Sequence, residues 1–84
     1  MIGKKEAAAK AEAYLRDLFP AAFAIRLEEV DATDDRWQIT LSFIPAEGST
    51  SPTAGRQYKL FDITKDSGEV RSMKIRTLNN VWPD

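Results

Sequence analysis

Residues Arg36–Ile44 read "RWQITLSFI", and this stretch decides the fold. Trp37, Ile39, Leu41 and Phe43 alternate with Gln38, Thr40 and Ser42. A pleated strand sends successive side chains to opposite faces, so one face of this strand is apolar and the other polar. A strand covered on both faces would instead read as a continuous apolar run. The alternation predicts an antiparallel sheet packed on one side, with its other side turned to water.

Downstream, "PAEGSTSPTAG" (residues 45–55) holds two prolines, two glycines and several small hydroxyl residues with no apolar period, which reads as a loop. "RQYKLFDI" and "EVRSMKIR" then flank "TKDSG". Asp66, Ser67 and Gly68 suit a tight turn with glycine in the left-handed region, so strands are expected over residues 56–63 and 69–76, joined as a hairpin. The phase of the first of these two strands is ambiguous. If Tyr58 and Leu60 point inward, Phe61 points outward beside Lys59; a bulge would turn Phe61 inward instead.

Upstream, "IRLEEV" predicts a strand over residues 25–31 with Ile25 and Leu27 on one face. Val30 falls out of phase with them, which places a bulge or a strand end near Glu28 and Glu29. "DATDD" supplies the turn into residues 36–44. Before it, good helix formers dominate residues 4–19, with Ala8, Ala11, Leu15, Leu18 and Phe19 recurring at three- and four-residue intervals as a buried stripe. Glu6 with Lys10 and Glu12 with Arg16 stand in the favourable i, i+4 order. Pro20 lacks the amide hydrogen another turn would need and ends the helix.

These elements predict one α+β domain over residues 1–84: an N-terminal helix packed on a four-stranded antiparallel meander. A helix of about 15 residues spans roughly 22 Å, and a strand of about eight spans roughly 26 Å, so the helix can lie across the sheet. Leu15, Leu18, Trp37, Ile39, Leu41, Phe43, Tyr58, Leu60, Met73 and Ile75 are expected to fill the layer between them. The chain has 84 residues, too few for two cores without metals or disulfides.

Composition narrows the chemistry. With no cysteine and no histidine there is no thiol nucleophile, no thiolate or imidazole metal ligand and no side chain that ordinarily titrates near neutrality. Twelve basic and thirteen acidic side chains nearly cancel, so no global field draws the chain to nucleic acid or anionic lipid. Glu6, Lys10, Glu12, Arg16 and Asp17 interrupt any apolar leader, and "FPAAFAI" is far short of the roughly 20 residues a membrane span needs. A cytoplasmic protein with no membrane partner is the expectation.

Three function classes remain. For catalysis the candidates are carboxylates: Glu28 with Glu29, Asp34 with Asp35, and Asp62 near Asp66 and Glu69. Neighbours on a strand point to opposite faces, so the first pair shares a site only if a bulge intervenes, and the second lies in a turn where backbone bonding is its ordinary role. "DATDD" lacks the glycine and terminal glutamate of an EF-hand loop. No catalytic residue, cofactor or metal is assigned. For nucleic acid, Lys59, Arg71, Lys74 and Arg76 could gather on one solvated strand face with Arg56 at its edge. For protein recognition, a face exposing Thr40, Ser42, Lys59, Ser72, Lys74 and Arg76, or an edge strand, would meet a partner or a second copy of the chain. Phe61 and Trp82 would be its aromatic anchors. The partner-binding candidates are therefore Lys59, Phe61, Arg71, Lys74, Arg76 and Trp82. The expected function is a non-enzymatic protein-interaction module such as an inhibitor, immunity or regulatory protein, with nucleic-acid binding as the alternative.

"YKLFDITKDSGEVRSMKI", residues 58–75, resembles the closing hairpin of the PepSY and PepSY-like family, with an aromatic opening a strand, an Asp following, and a T-x-x-x-G-E-V-like turn leading to the last strand. "EAAAKAEAYL", "IRLEEV" and "RWQITLSF" fit that family's helix-then-meander layout, which is shared by cystatin-like folds. The resemblance implies a small extracytoplasmic domain for which restraint of peptidases has been proposed. The chain departs from it in showing no export signal and in its loop at residues 45–55. The family motif marks structure, so the resemblance carries over no functional residue.

Overall fold

A computed structural model describes residues 1–45 and 56–75. Helix α1 (Lys4–Leu18) is followed by strands β1 (Phe23–Ala32), β2 (Arg36–Ile44), β3 (Gln57–Thr64) and β4 (Val70–Ile75). The strands form one sheet in the order β1-β2-β3-β4, every pair antiparallel. This is the expected α+β arrangement of a helix on an antiparallel meander. Most of the predicted loop, together with Arg76 and the tail carrying Trp82, lies outside the described residues.

Helix α1 buries Ala7, Ala11 and Leu15 completely. Spacing by four keeps these on one face, and the two alanines let the helix backbone approach the sheet closely. The stripe continues to Phe19, which lies against the Phe43 ring with centroids 5.6 Å apart. Leu18 lies one residue off the stripe and is 48% exposed, contrary to the expectation that it fills the core. An exposed Glu12–Arg16 ion pair of 2.8 Å forms on the outer face as the i, i+4 spacing predicts, and contributes only a few tenths of a kcal/mol.

The core is built on β2. Ile39, Leu41 and Phe43 are buried beneath the helix with Phe61 and Ile63 of β3. Each such side chain stabilises the fold by about 1.5–3 kcal/mol on transfer from water. Pairing of Ile39 with Phe61 and of Trp37 with Ile63 fixes the phase of β3. Lys59, Phe61 and Ile63 therefore face the helix, while Tyr58, Leu60 and Asp62 face away. Two expectations are corrected here. Tyr58 and Leu60 do not fill the layer under the helix, and Phe61 is no exposed anchor: it is 0% accessible, with the Tyr14 ring edge-on at 6.1 Å. No bulge is needed to turn it inward, because the β2–β3 register is unbroken.

Strand β1 is irregular twice, with register shifts between Phe23 and Arg26 and between Leu27 and Glu29. The second is the bulge that the misphased Val30 implies: Leu27 pairs with Leu41 and Val30 with Ile39, both on the helix side. Ala24, at the first, has φ +54°, left-handed geometry that costs a residue with a Cβ about 1–2 kcal/mol.

Both turns at one end of the sheet converge on Lys65. Its amide donates to Asp35 O at 2.9 Å and its carbonyl accepts from Ile2 N at 2.7 Å. Its Nζ donates to Thr33 O at 2.6 Å and lies 5.0 Å from the Trp37 ring centroid. Trp37 Nε1 in turn donates to Ile2 O at 3.2 Å. Gly68 sits in the β3–β4 turn at φ +79°, with the Lys10 methylenes so close that an added Cβ would lie 2.5 Å from Lys10 Cε.

Candidate functional site

Strand alternation distributes the predicted partner-binding residues over several surfaces. Lys59 faces the helix side, its Nζ 5.8 Å from the Phe19 ring centroid. Phe61 is core. Lys74 pairs with Leu60 on the opposite side. Arg71 is exposed beside the irregularity where Ile63 pairs with Val70 and Asp62 with Ser72. The expected basic face carrying Lys59 and Lys74 together is therefore not formed. Arg56 is also committed elsewhere, as its Nη1 donates to Ala24 O at 2.6 Å and to Ser42 Oγ at 3.0 Å.

The side of the sheet away from the helix was expected to be wet. Its centre is not: Thr40 and Ser42 are both 0% exposed. Ser42 Oγ donates to Glu28 Oε2 at 2.5 Å, so Ser42 is held between the Glu28 carboxylate and the Arg56 guanidinium. The bulge makes this contact. It inserts Glu28 between Leu27, opposite Leu41, and Glu29, opposite Thr40, and so brings Glu28 and Glu29 to the same side of the sheet. A hydroxyl beside a carboxylate is the beginning of a nucleophile–base pair. Here the hydroxyl is inaccessible and already bonded, so the arrangement works as a latch from β1 across β2 to Arg56 at the start of β3.

A second polar group lies further along the same side. Arg36 Nη1 and Ser72 Oγ approach Asp62 Oδ2 at 3.5 and 3.4 Å, while Asp62 Oδ1 is buried with no hydrogen-bond partner among the described residues. The two contacts are long, and the carboxylate is held by position more than by strong bonds. Asp66 and Glu69 stand in the exposed hairpin turn. Asp34 and Asp35 are exposed in the β1–β2 turn, where Thr33 N donates to Arg36 O. No group of three or more acidic side chains placed to hold a metal occurs among the described residues.

Among the described residues, the two edges of the sheet are accessible. Outside β1 the edge is broken by the two irregularities and lined by Arg26, Glu28, Glu29 and Asp31. Outside β4 the edge is regular from Ser72 to Ile75, which pair in unbroken register with Asp62 through Lys59. Ile75 is 78% exposed on the helix side, and Leu18 and Tyr14 are also exposed. A shallow open groove lined by Lys10, Ala13, Tyr14, Asp17, Gly68 and Val70 runs between α1 and the start of β4. Sequence reasoning missed this apolar strip because Ile75 and Leu18 were read as core. The position of Ile75 carried the signal, since it is an apolar side chain at the last residue of β4, beyond Met73, which packs against the core.

No protein-family model, no curated protein and no solved structure matches this chain. Among the described residues no helix is long and apolar enough to cross a membrane.

Proposed function

We propose that this chain is a small non-enzymatic protein-interaction module, of the inhibitor, immunity or regulatory kind, that takes its partner along the outer edge of β4. One observation carries the reading: β4 is an edge strand, regular from Ser72 to Ile75, with an exposed apolar side chain, Ile75, on a sheet whose other edge is interrupted twice. An edge strand offers a row of backbone donors and acceptors, and adding a strand satisfies them while side chains set the choice of partner. The sealed centre of the opposite face moves the contact from that face to the edge. The PepSY-like layout, with its link to peptidase restraint, is in keeping with such a role.

The test compares two edge variants as bait in an extract of the native cell. Ile75→Lys places a charge at the β4 edge and Leu27→Lys does the same beside β1. The reading expects a protein retained by the wild type and by Leu27→Lys and lost with Ile75→Lys. The opposite pattern would move the contact to β1, and retention by all three baits would remove it from both edges.

A further inference from the structure

Resting on the reading of β4 as the docking edge, we propose that its occupant is an extended segment alternating apolar and acidic side chains, added as a fifth strand.

The pleat of β4 dictates the alternation. Met73 and Ile75 face the helix side and Ser72 and Lys74 the other, since Met73 pairs with the buried Phe61 and Ser72 with Asp62. A strand added outside β4 continues the same two faces. On the helix side its side chains would lie beside Ile75 and the strip made by Tyr14 and Leu18. These three residues are 78%, 37% and 48% exposed. Tyr14 meets Phe61, Leu18 follows one helical turn on, and Phe19 closes that end beside Phe43 and Lys59, the residue paired with Ile75. The helical strip thus runs alongside Met73 and Ile75, and apolar side chains on the incoming strand would cover it.

Along β4 itself the charge is one-signed, with Lys74 on the other side and Arg71 at the irregularity between Val70 and Ser72. Strand β4 contains Arg71 and Lys74 and no acid. Both cations are exposed, and neither forms an ion pair among the described residues. Carboxylates on the incoming strand would meet them as cross-strand neighbours. A second copy fits less well. Its β4 would bring like charges together, and its β1 is acidic but interrupted, while a β4-to-β1 contact is head-to-tail and lacks the two-fold symmetry of the commonest dimers. Phosphate backbones are disfavoured by the separation of Lys59 from Lys74 onto opposite faces.

Three synthetic heptapeptides test this by residue-resolved NMR titration: alternating Glu and Val, alternating Lys and Val, and the Glu–Val peptide N-methylated at alternate amides. The Glu–Val peptide should shift the amides of Ser72–Ile75 and bind about tenfold or more tighter than the Lys–Val peptide, a preference of about 1.4 kcal/mol. The N-methylated peptide should not bind, and Arg71→Glu with Lys74→Glu should reverse the charge preference without moving the thermal transition by more than a few degrees. Equal binding of both charge types at β4 would overturn the acidic occupant and leave the docking edge standing. Shifts confined to β1, or no binding by any peptide, would overturn both. Self-association relieved by Lys74→Glu would identify a second copy as the occupant, and a mixed oligonucleotide pool that shifts Ser72–Ile75 more strongly than the Glu–Val peptide would identify nucleic acid. Either result would overturn the proposal.

Discussion

The two edges of this sheet are built on opposite principles. Strand β1 departs from regular pairing twice, holds Ala24 in left-handed geometry, and carries three acids and one arginine. Strand β4 departs once, at its start, then runs regularly into an exposed isoleucine with only basic charges. Irregularities and charges are the devices by which natural sheets keep an edge from pairing with another chain. On β1 the irregularities interrupt the pairing along the strand, whereas on β4 the single one falls at its start, and this difference supports the proposal that β4 is the edge a partner takes. The internal bonding agrees, since Glu28 of β1 turns inward to Ser42 and Arg56 holds the Ala24 carbonyl, whereas Arg71 and Lys74 of β4 point to solvent.

The largest effect expected comes from removing the side chain on which both halves of the sheet rest. Phe61→Ala should destabilise the fold by about 3–5 kcal/mol, read from a denaturant midpoint, because the ring is wholly buried under Tyr14. A change under 1 kcal/mol would restore Phe61 as a surface anchor. Next comes the β1 latch. Arg56→Ala removes the donor to Ala24 O and Ser42 Oγ and should cost about 1–3 kcal/mol, with faster amide exchange across Phe23–Ala32 than across β4. On the β4 side, Gly68→Ala forces a Cβ into left-handed geometry against the Lys10 methylenes and should cost about 1–2 kcal/mol by thermal melting. Ala24→Gly relieves the same kind of geometry in β1 and should stabilise by about 0.5–1 kcal/mol. Smallest of all, Ile75→Lys should alter stability by no more than about 0.5 kcal/mol, since the side chain is already in water.

Much of the architecture was legible in the sequence. The alternation of residues 36–44 gave β2 its bounds and its two faces, Pro20 ended the helix, and the misphased Val30 announced the bulge. What was not legible was phase wherever both parities of a segment are apolar. In "QYKLFDIT" the pair Tyr58 and Leu60 competes with Phe61 and Ile63, and only pairing with Ile39 and Trp37 decides between them. The helix posed the same problem, since Ala7 and Ala8 are indistinguishable by type and one residue of rotation moved Leu18 to the surface. The candidate site depended on those two phases. Lys74 was correctly placed away from the helix, while Lys59 and Phe61 were carried to the wrong side of the sheet. The sealing of Ser42 was not predictable from alternation, because Glu28 and Arg56 reach it from either side.

The difference between the edges is tested most directly by residue-resolved amide hydrogen exchange with and without the alternating Glu–Val peptide. The account predicts that Ser72–Ile75 gain protection on addition of the peptide while Phe23–Ala32 are unchanged. Protection gained along β1, with none along β4, would contradict it.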